Sequence, residues 1–256
     1  MATPQKRSII EIYDLFSYIE TNTAIEPFKM KRAIEDAQKL EDHYQSLMVT
    51  GLAYAAGKDY KSATDFLKKA SECGREGIYL NYVTYLEKTF QYDEYVSALK
   101  ELAIKYNHFN INWGAKNLCL CLGDLEQAEF HLARVIEMIN NEQDRNKLVA
   151  DFHSDKQKVE NFMAKSILSE NEIKIAAKIA SDVAKEHNVL FGAHEFDVGG
   201  DDECPAFIFS AYSLDGPTLA DMDIELVTRL ATNEQLAGKD FTAWYRGIED
   251  KEENRL

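Results

Sequence analysis

Residues 47–70 read LMVTGLAYAAGKDYKSATDFLKKA, and the way this stretch folds decides how the rest of the chain is read. Apolar residues recur at spacings of three and four on either side of a polar break, Gly57-Lys58-Asp59. The spacing predicts two amphipathic helices, Gln45 to Ala56 and Tyr60 to Cys73, joined by a short turn. Gly51 and Ala63 carry almost no bulk and let the two backbones approach, while Tyr54, Leu67 and Ala70 fill the seam. The expected unit is a helical hairpin.

The plan recurs. YLNYVTYLEKTFQYDEYVSALKEL lies at 79–102 and INWGAKNLCLCLGDLEQAEFHLARV at 111–135, each a helix, a polar turn and a helix. Tyr95 and Ala128 stand where Ala63 stood, Leu99 and Leu132 answer Leu67, and Asp93 and Asp124 lie near the place of Asp59. A fixed period of this kind is the signature of stacked units, each burying its neighbours' faces. The pattern resembles the tetratricopeptide repeat across about residues 44–138: Gly51, Tyr54, Ala63, Leu67 and Ala70 fall at that family's small, aromatic, small, large and small positions, with Leu47 in the usual tryptophan slot. Thr50 departs from a position that is normally large and apolar, the closing proline is missing, and the middle unit is degenerate. The resemblance implies a mostly α fold whose first helices line a concave groove for a peptide or protein segment. On it the matching groove positions include Gln45, Met48, Leu52, Thr84, Lys88, Trp113 and Asn117. An irregular helical bundle is the plainer alternative.

A helical stripe of Ile9, Ile12, Phe16 and Ile19 precedes the repeats, and Phe28, Ala33 and Ala37 form a second one behind Pro27. After them the polar run NNEQDRNK, residues 140–147, reads as a loosening before a helix from about Lys156 to Leu168. Composition then shifts. Ser169 and Glu172 have the spacing of a capping box, VLFGAHEFDV and AFIFSAYSL read as two strands of a hairpin, Thr218 is placed to cap a helix ended by Gly238, and DFTAWYRGIE supplies a third strand. Leu219, Met222, Leu226, Val227 and Leu230 share a face of that helix. Two domains are expected: a helical repeat domain over 1–165 and an acidic α+β domain over 166–256, in the order helix-strand-strand-helix-strand, with a three-stranded antiparallel or mixed sheet.

Between those first two strands lies FDVGGDDECPAF, residues 196–207. It resembles, locally and weakly, the signature hairpin of GGDEF-type nucleotidyl cyclases and related palm-domain polymerases. In such palms the glycines admit a phosphate and the acids hold divalent metal, which would assign Gly199, Gly200, Asp201 and Asp202. Against this, no strand ending in aspartate precedes the hairpin and no basic residues gather near it in sequence. As a plain hairpin tip, the glycines supply positive φ and the acids stay in water.

Other chemistry is weakly signalled. His43, His108, His131, His153, His187 and His194 are scattered, and Cys73, Cys119, Cys121 and Cys204 lack metal-ligand spacing and read as buried thiols in a reducing compartment. No apolar run approaches a membrane span of about 18 residues, and the polar start MATPQKRS lacks the centre of a signal peptide, so a cytoplasmic location is expected. The net charge of −15 is uneven: residues 166–256 hold 8 Lys and Arg against 19 Asp and Glu, or −11, which leaves −4 for the rest. Such a surface repels nucleic acid and steers a basic protein partner, although acidity also serves solubility alone. The expected function is that of a non-enzymatic, cofactor-free interaction protein, an inhibitor or immunity protein, chaperone or adaptor, with no direct nucleic acid or membrane partner. The alternative is a nucleotide- and magnesium-dependent enzyme, or a degenerate one, using the GGDD hairpin.

Overall fold

The structure, a computed structural model, describes residues 4–200 and 203–249. The fold is mostly α, with a small three-stranded mixed sheet near the C-terminus. The chain gathers into two compact units, 1–98 and 99–256. The expected boundary near residue 165 falls inside the second unit, at the end of its long helix.

The first unit contains α1 (Pro4–Glu20), α2 (Pro27–Ala37), α3 (His43–Ala56), α4 (Tyr60–Ser71) and α5 (Glu76–Lys88). Helix α6 (Tyr92–Lys105) carries the chain into the second unit. The predicted hairpin over 45–73 is α3 and α4. Gly51 is where they come closest: a Cβ built there would lie 2.7 Å from Leu67 Cγ, so only glycine fits without displacing the leucine. Val49, Leu52, Ala53, Ala63, Leu67 and Ala70 bury the seam completely. In the preceding helices Leu15, Ile19 and Ala37 point inward, whereas Phe28 stands 77% exposed at the first turn of α2, outside the stripe expected for it.

One turn geometry is used three times. The helix starts His43, Glu76 and Phe109 are spaced by 33 residues, and each hairpin turns through three residues, Gly57-Lys58-Asp59, Thr89-Phe90-Gln91 and Leu122-Gly123-Asp124. The middle residue is left-handed in all three, with φ of 64° at Lys58, 57° at Phe90 and 70° at Gly123. The residue after it donates its amide back across the end of the preceding helix: Asp59 to Tyr54, Gln91 to Leu86 and Asp124 to Cys119. This is a Schellman closure, and it satisfies carbonyls the helix end would otherwise leave bare. Asp59 and Asp124 then cap α4 and α8 through their side chains. In the middle hairpin Gln91 holds the cap position, and Asp93, expected there, sits inside the first turn of α6.

The second unit contains α7 (Phe109–Cys121), α8 (Leu125–Met138), α9 (Glu142–Ser166), α10 (Glu170–Glu186), β1 (Phe191–Asp197), β2 (Ala206–Ala211), α11 (Gly216–Thr232) and β3 (Thr242–Gly247). Residues 142–147, read as a loosening, belong to α9, which starts 33 residues after α7 and runs for 25. Asn141 caps it by accepting from the Gln143 amide, and Phe152, Val159 and Phe162 keep one face buried, which holds the polar first turns in helix. The Ser169–Glu172 capping box forms as expected at α10. Strand β2 is central, antiparallel to β1 and parallel to β3. Register slips between Phe191 and His194, a bulge beside Gly192. Helix α11 is capped by Asp215, which accepts from the Thr218 amide, so Thr218 itself is not the cap; the helix ends at Thr232, before Gly238. Its Met222, Leu226 and Leu230 are buried, but Val227 is 49% exposed and does not share that face.

Candidate functional site

In the first unit, the expected groove positions divide by burial. Met48, Leu52 and Lys88 are buried, while Gln45 and Thr84 are half-buried. Helix α3 packs against α1, α2, α4 and α5, so it is surrounded and its Met48 and Leu52 serve as core rather than as an open face. Asn81 of α5 reaches Met48, with Nδ2 3.2 Å from Sδ, so these two first helices touch directly. Their N-termini are also linked. Asp42, the cap of α3, takes a bidentate ion pair from Arg75, with Nη2 2.7 Å from Oδ1. Hydrogen bonding from Arg75 chiefly, opposed by partial burial and aided by the Gln45 and Tyr44 amides, holds the Asp42 carboxyl down to about 2.

In the second unit, the other two expected positions lie together on α7. Phe109, Trp113, Asn117 and Cys121 follow one another at four-residue spacing, and all keep some exposure. The Phe109 and Trp113 rings stack with centroids 5.8 Å apart. Lys116, otherwise buried, holds its ammonium 4.1 Å from the Trp113 ring centroid. Burial lowers the Lys116 pKa, opposed by the charges of Asp155 and Asp151 on α9. Trp113 and Asn117 are among the groove positions expected from the sequence; Phe109 and Lys116 are not. The i, i+4 aromatic spacing was the signal for Phe109; nothing local marks Lys116 as buried.

Behind this row the hairpin has a polar interior. Asn112 and His131 are fully buried, with His131 Nδ1 3.0 Å from Asn112 Oδ1. Asn112 Nδ2 donates to the His108 carbonyl at 2.9 Å, and Arg134 donates to the Ala103 carbonyl. Nε2 of His131 is buried and has no hydrogen-bond partner among the described residues. Burial first, then the Arg134 and Lys100 charges, push the His131 pKa down to about 4, so the ring is neutral at neutral pH.

The GGDD hairpin is held at its base. Gly199 has φ of 63°, as a hairpin tip requires, and Lys165 Nζ donates to the carbonyls of Val198 at 3.0 Å and Gly200 at 2.6 Å. A lysine distant in sequence thus does reach this loop, but it is spent on backbone oxygens. The Gly200 amide is taken by Glu203 Oε2 at 2.7 Å. Asp201 and Asp202 lie outside the described residues. Among the described residues, no group of three or more His, Cys, Asp or Glu is placed to hold a metal ion. Neighbouring His194 faces Phe191, Phe207 and Phe209, and burial alone lowers its pKa to about 3, while Glu195 on the other side of β1 pairs with Arg246. The cysteines are free thiols: Cys119 is buried, Cys73 and Cys121 partly so, and Cys204 is exposed, contrary to its expected burial. No described helix is long and apolar enough to cross a membrane.

Compared with known proteins, the chain matches no family model, no curated protein and no solved structure.

Proposed function

We propose that the protein is a protein-binding module of tetratricopeptide-like helical hairpins, which regulates or neutralises a partner as an inhibitor, chaperone or adaptor does. The observation that carries this reading is the half-exposed row Phe109-Trp113-Asn117 on the first helix of the third hairpin. A tryptophan kept partly open, in contact with a stacked phenylalanine and a lysine cation, is the kind of residue that dominates binding energy at interfaces. Asn117 one turn further on offers both a donor and an acceptor to a peptide backbone. The repeated turn and the spacing of 33 residues support the hairpin-repeat part of the reading. The charge of −11 on residues 166–256 supports a basic partner, drawn in at a rate that salt reduces. Gln45, Thr84 and Asn117 remain partner-contact candidates, and Met48, Leu52 and Lys88 act by holding their helices in place.

The test is quantitative capture of partners from the native host by the parent chain and by a Phe109→Ser, Asn117→Ala variant. The expected result is one partner whose recovery falls about tenfold while the melting temperature moves by less than about 2 °C. Recovery that is equal with both proteins sinks the assignment of this row.

A further inference from the structure

Helix α11 carries two apolar faces, and the fold uses only one. Met222 and Leu226 are fully buried and Leu230 nearly so. On the other side Pro217, Ala220, Ile224, Val227 and Ala231 are all exposed, Ile224 by 68% and Val227 by 49%. Their spacing is three, four, three, four, the a/d pattern of a coiled-coil seam, and it makes a narrow apolar stripe about 21 Å long at 1.5 Å per residue. A helix apolar on both sides is ordinarily enclosed, and an uncovered apolar stripe with a polar rim marks a contact surface.

The rim identifies the occupant. Asp221 is exposed at the position flanking the stripe on one side; Asp223, on the other, is half-buried, accepts from the Tyr245 amide at 2.6 Å and has its pKa raised by burial, so Asp221 is the open rim charge. Asp215 caps the N-terminal end. The single basic residue of α11, Arg229, is bonded to both Glu186 and Glu225 and offers nothing to the stripe. A second copy of the chain would set acid against acid across the seam, in a molecule of net charge −15.

We propose that the outer face of α11 docks an amphipathic helix of a partner protein whose apolar a/d residues are flanked by lysine or arginine. Ile224 and Val227 supply the central contacts, small Ala220 and Ala231 let the partner backbone approach, and exposed Asp221 selects a basic flank. This surface is separate from the α7 row and does not depend on the reading of that row.

The experiment uses the full chain and two synthetic helical peptides with the same leucine seam, one carrying lysine and the other glutamate at the flanking positions, followed by fluorescence anisotropy. The lysine peptide is expected to bind in the micromolar range, the glutamate peptide at least about tenfold more weakly. Ile224→Gln with Val227→Gln is expected to weaken the lysine peptide by at least about tenfold without changing far-UV circular dichroism or melting temperature, since both side chains are in water. Phe28→Gln, another exposed apolar position, is expected to leave binding unchanged. Equal binding of both peptides, binding unaffected by the α11 variant, no binding at all, or a dimer of the parent chain that the α11 variant dissolves would each overturn the proposal. If the α11 variant lost helix content, Asp221→Lys, which alters only the rim, would decide: it must weaken the lysine peptide and strengthen the glutamate one.

Discussion

The first hairpin, α3 with α4, and the third, α7 with α8, turn through the same three-residue geometry and are filled in opposite ways. Between α3 and α4 the interior is dry and tight, with Gly51 pressed against Leu67 and alanines on both helices. Between α7 and α8 lie Asn112 and His131, paired with each other, while Asn112 also donates to the His108 carbonyl and Arg134 of α8 donates to the Ala103 carbonyl of α6. Apolar packing is forgiving of chemistry but not of volume; a buried polar pair is the reverse. The two hairpins should therefore fail under different substitutions and at different pH.

The largest effect is expected at Asn112. Asn112→Ala leaves His131 Nδ1 without its partner beside a new cavity, and should cost about 3 kcal/mol in denaturant unfolding followed by tryptophan fluorescence. Trp113 and Trp244 both belong to the second unit, so this signal is specific to it. A cost below about 1 kcal/mol would mean that the polar interior contributes no more than ordinary packing.

Next comes glycine. Gly51→Ala must displace Leu67 and should cost about 2 kcal/mol. Gly114→Ala meets Leu99 at 3.5 Å, an ordinary contact, and should gain up to about 1 kcal/mol from helix propensity. Equal effects at the two sites would mean that the close approach of Gly51 to α4 costs no more than the ordinary contact of Gly114 with Leu99 of α6.

Acid should separate the hairpins further. His131 titrates at about 4 in the folded chain against 6.5 when exposed. Its neutral burial therefore stabilises fully above pH 6.5, and stability is lost as pH falls toward 4, by at most about 1.4 kcal/mol per pH unit. His194, lowered to about 3, adds a loss of the same sign that extends to lower pH. Asp42 is also depressed, to about 2 from 3.8, so its contribution is present above 3.8 and disappears as pH falls from there to 2; with its side chain 32% exposed and that of Arg75 44%, it amounts to less than about 1 kcal/mol. Thermal unfolding between pH 7 and 3 should show the tryptophan signal weakening first, and His131→Gln should flatten its slope. A slope unchanged in that variant would assign the acid sensitivity elsewhere.

The smallest effects are expected in the shared turn. Gly123→Ala places a Cβ at φ of 70° and 3.0 Å from Ile173 Cδ1, and should cost about 1 kcal/mol. Lys58→Gly relieves the same backbone strain in the first hairpin but gives up the Lys58 Nζ bond to the Asn22 carbonyl, so its gain should stay below about 1 kcal/mol. If Lys58→Gly destabilised the protein, the bond to Asn22 would outweigh the strain.

The amino-acid order alone determined the helices, the period of the hairpins, the capping box at Ser169 and the three strands. Each of these rests on contacts between residues a few positions apart, and short-range chemistry is written in short-range sequence. It also placed Trp113 and Asn117 one helical turn apart on α7. Burial needed the tertiary structure. Met48, Leu52 and Lys88 share the periodicity of groove positions, yet periodicity states which residues share a face and not what covers that face; α3 is enclosed by four other helices. Residues 142–147 of the polar run became helix because the apolar residues that anchor them, Phe152 through Phe162, lie further along the chain. Lys165 reaching Val198 and Gly200, and Ile224 left in water while Met222 is buried, depend on partners more than 20 residues away or on none, and no local pattern encodes either. Long-range packing chooses among faces that sequence makes equally apolar, because the free energy of burial depends on the neighbour and not on the residue alone.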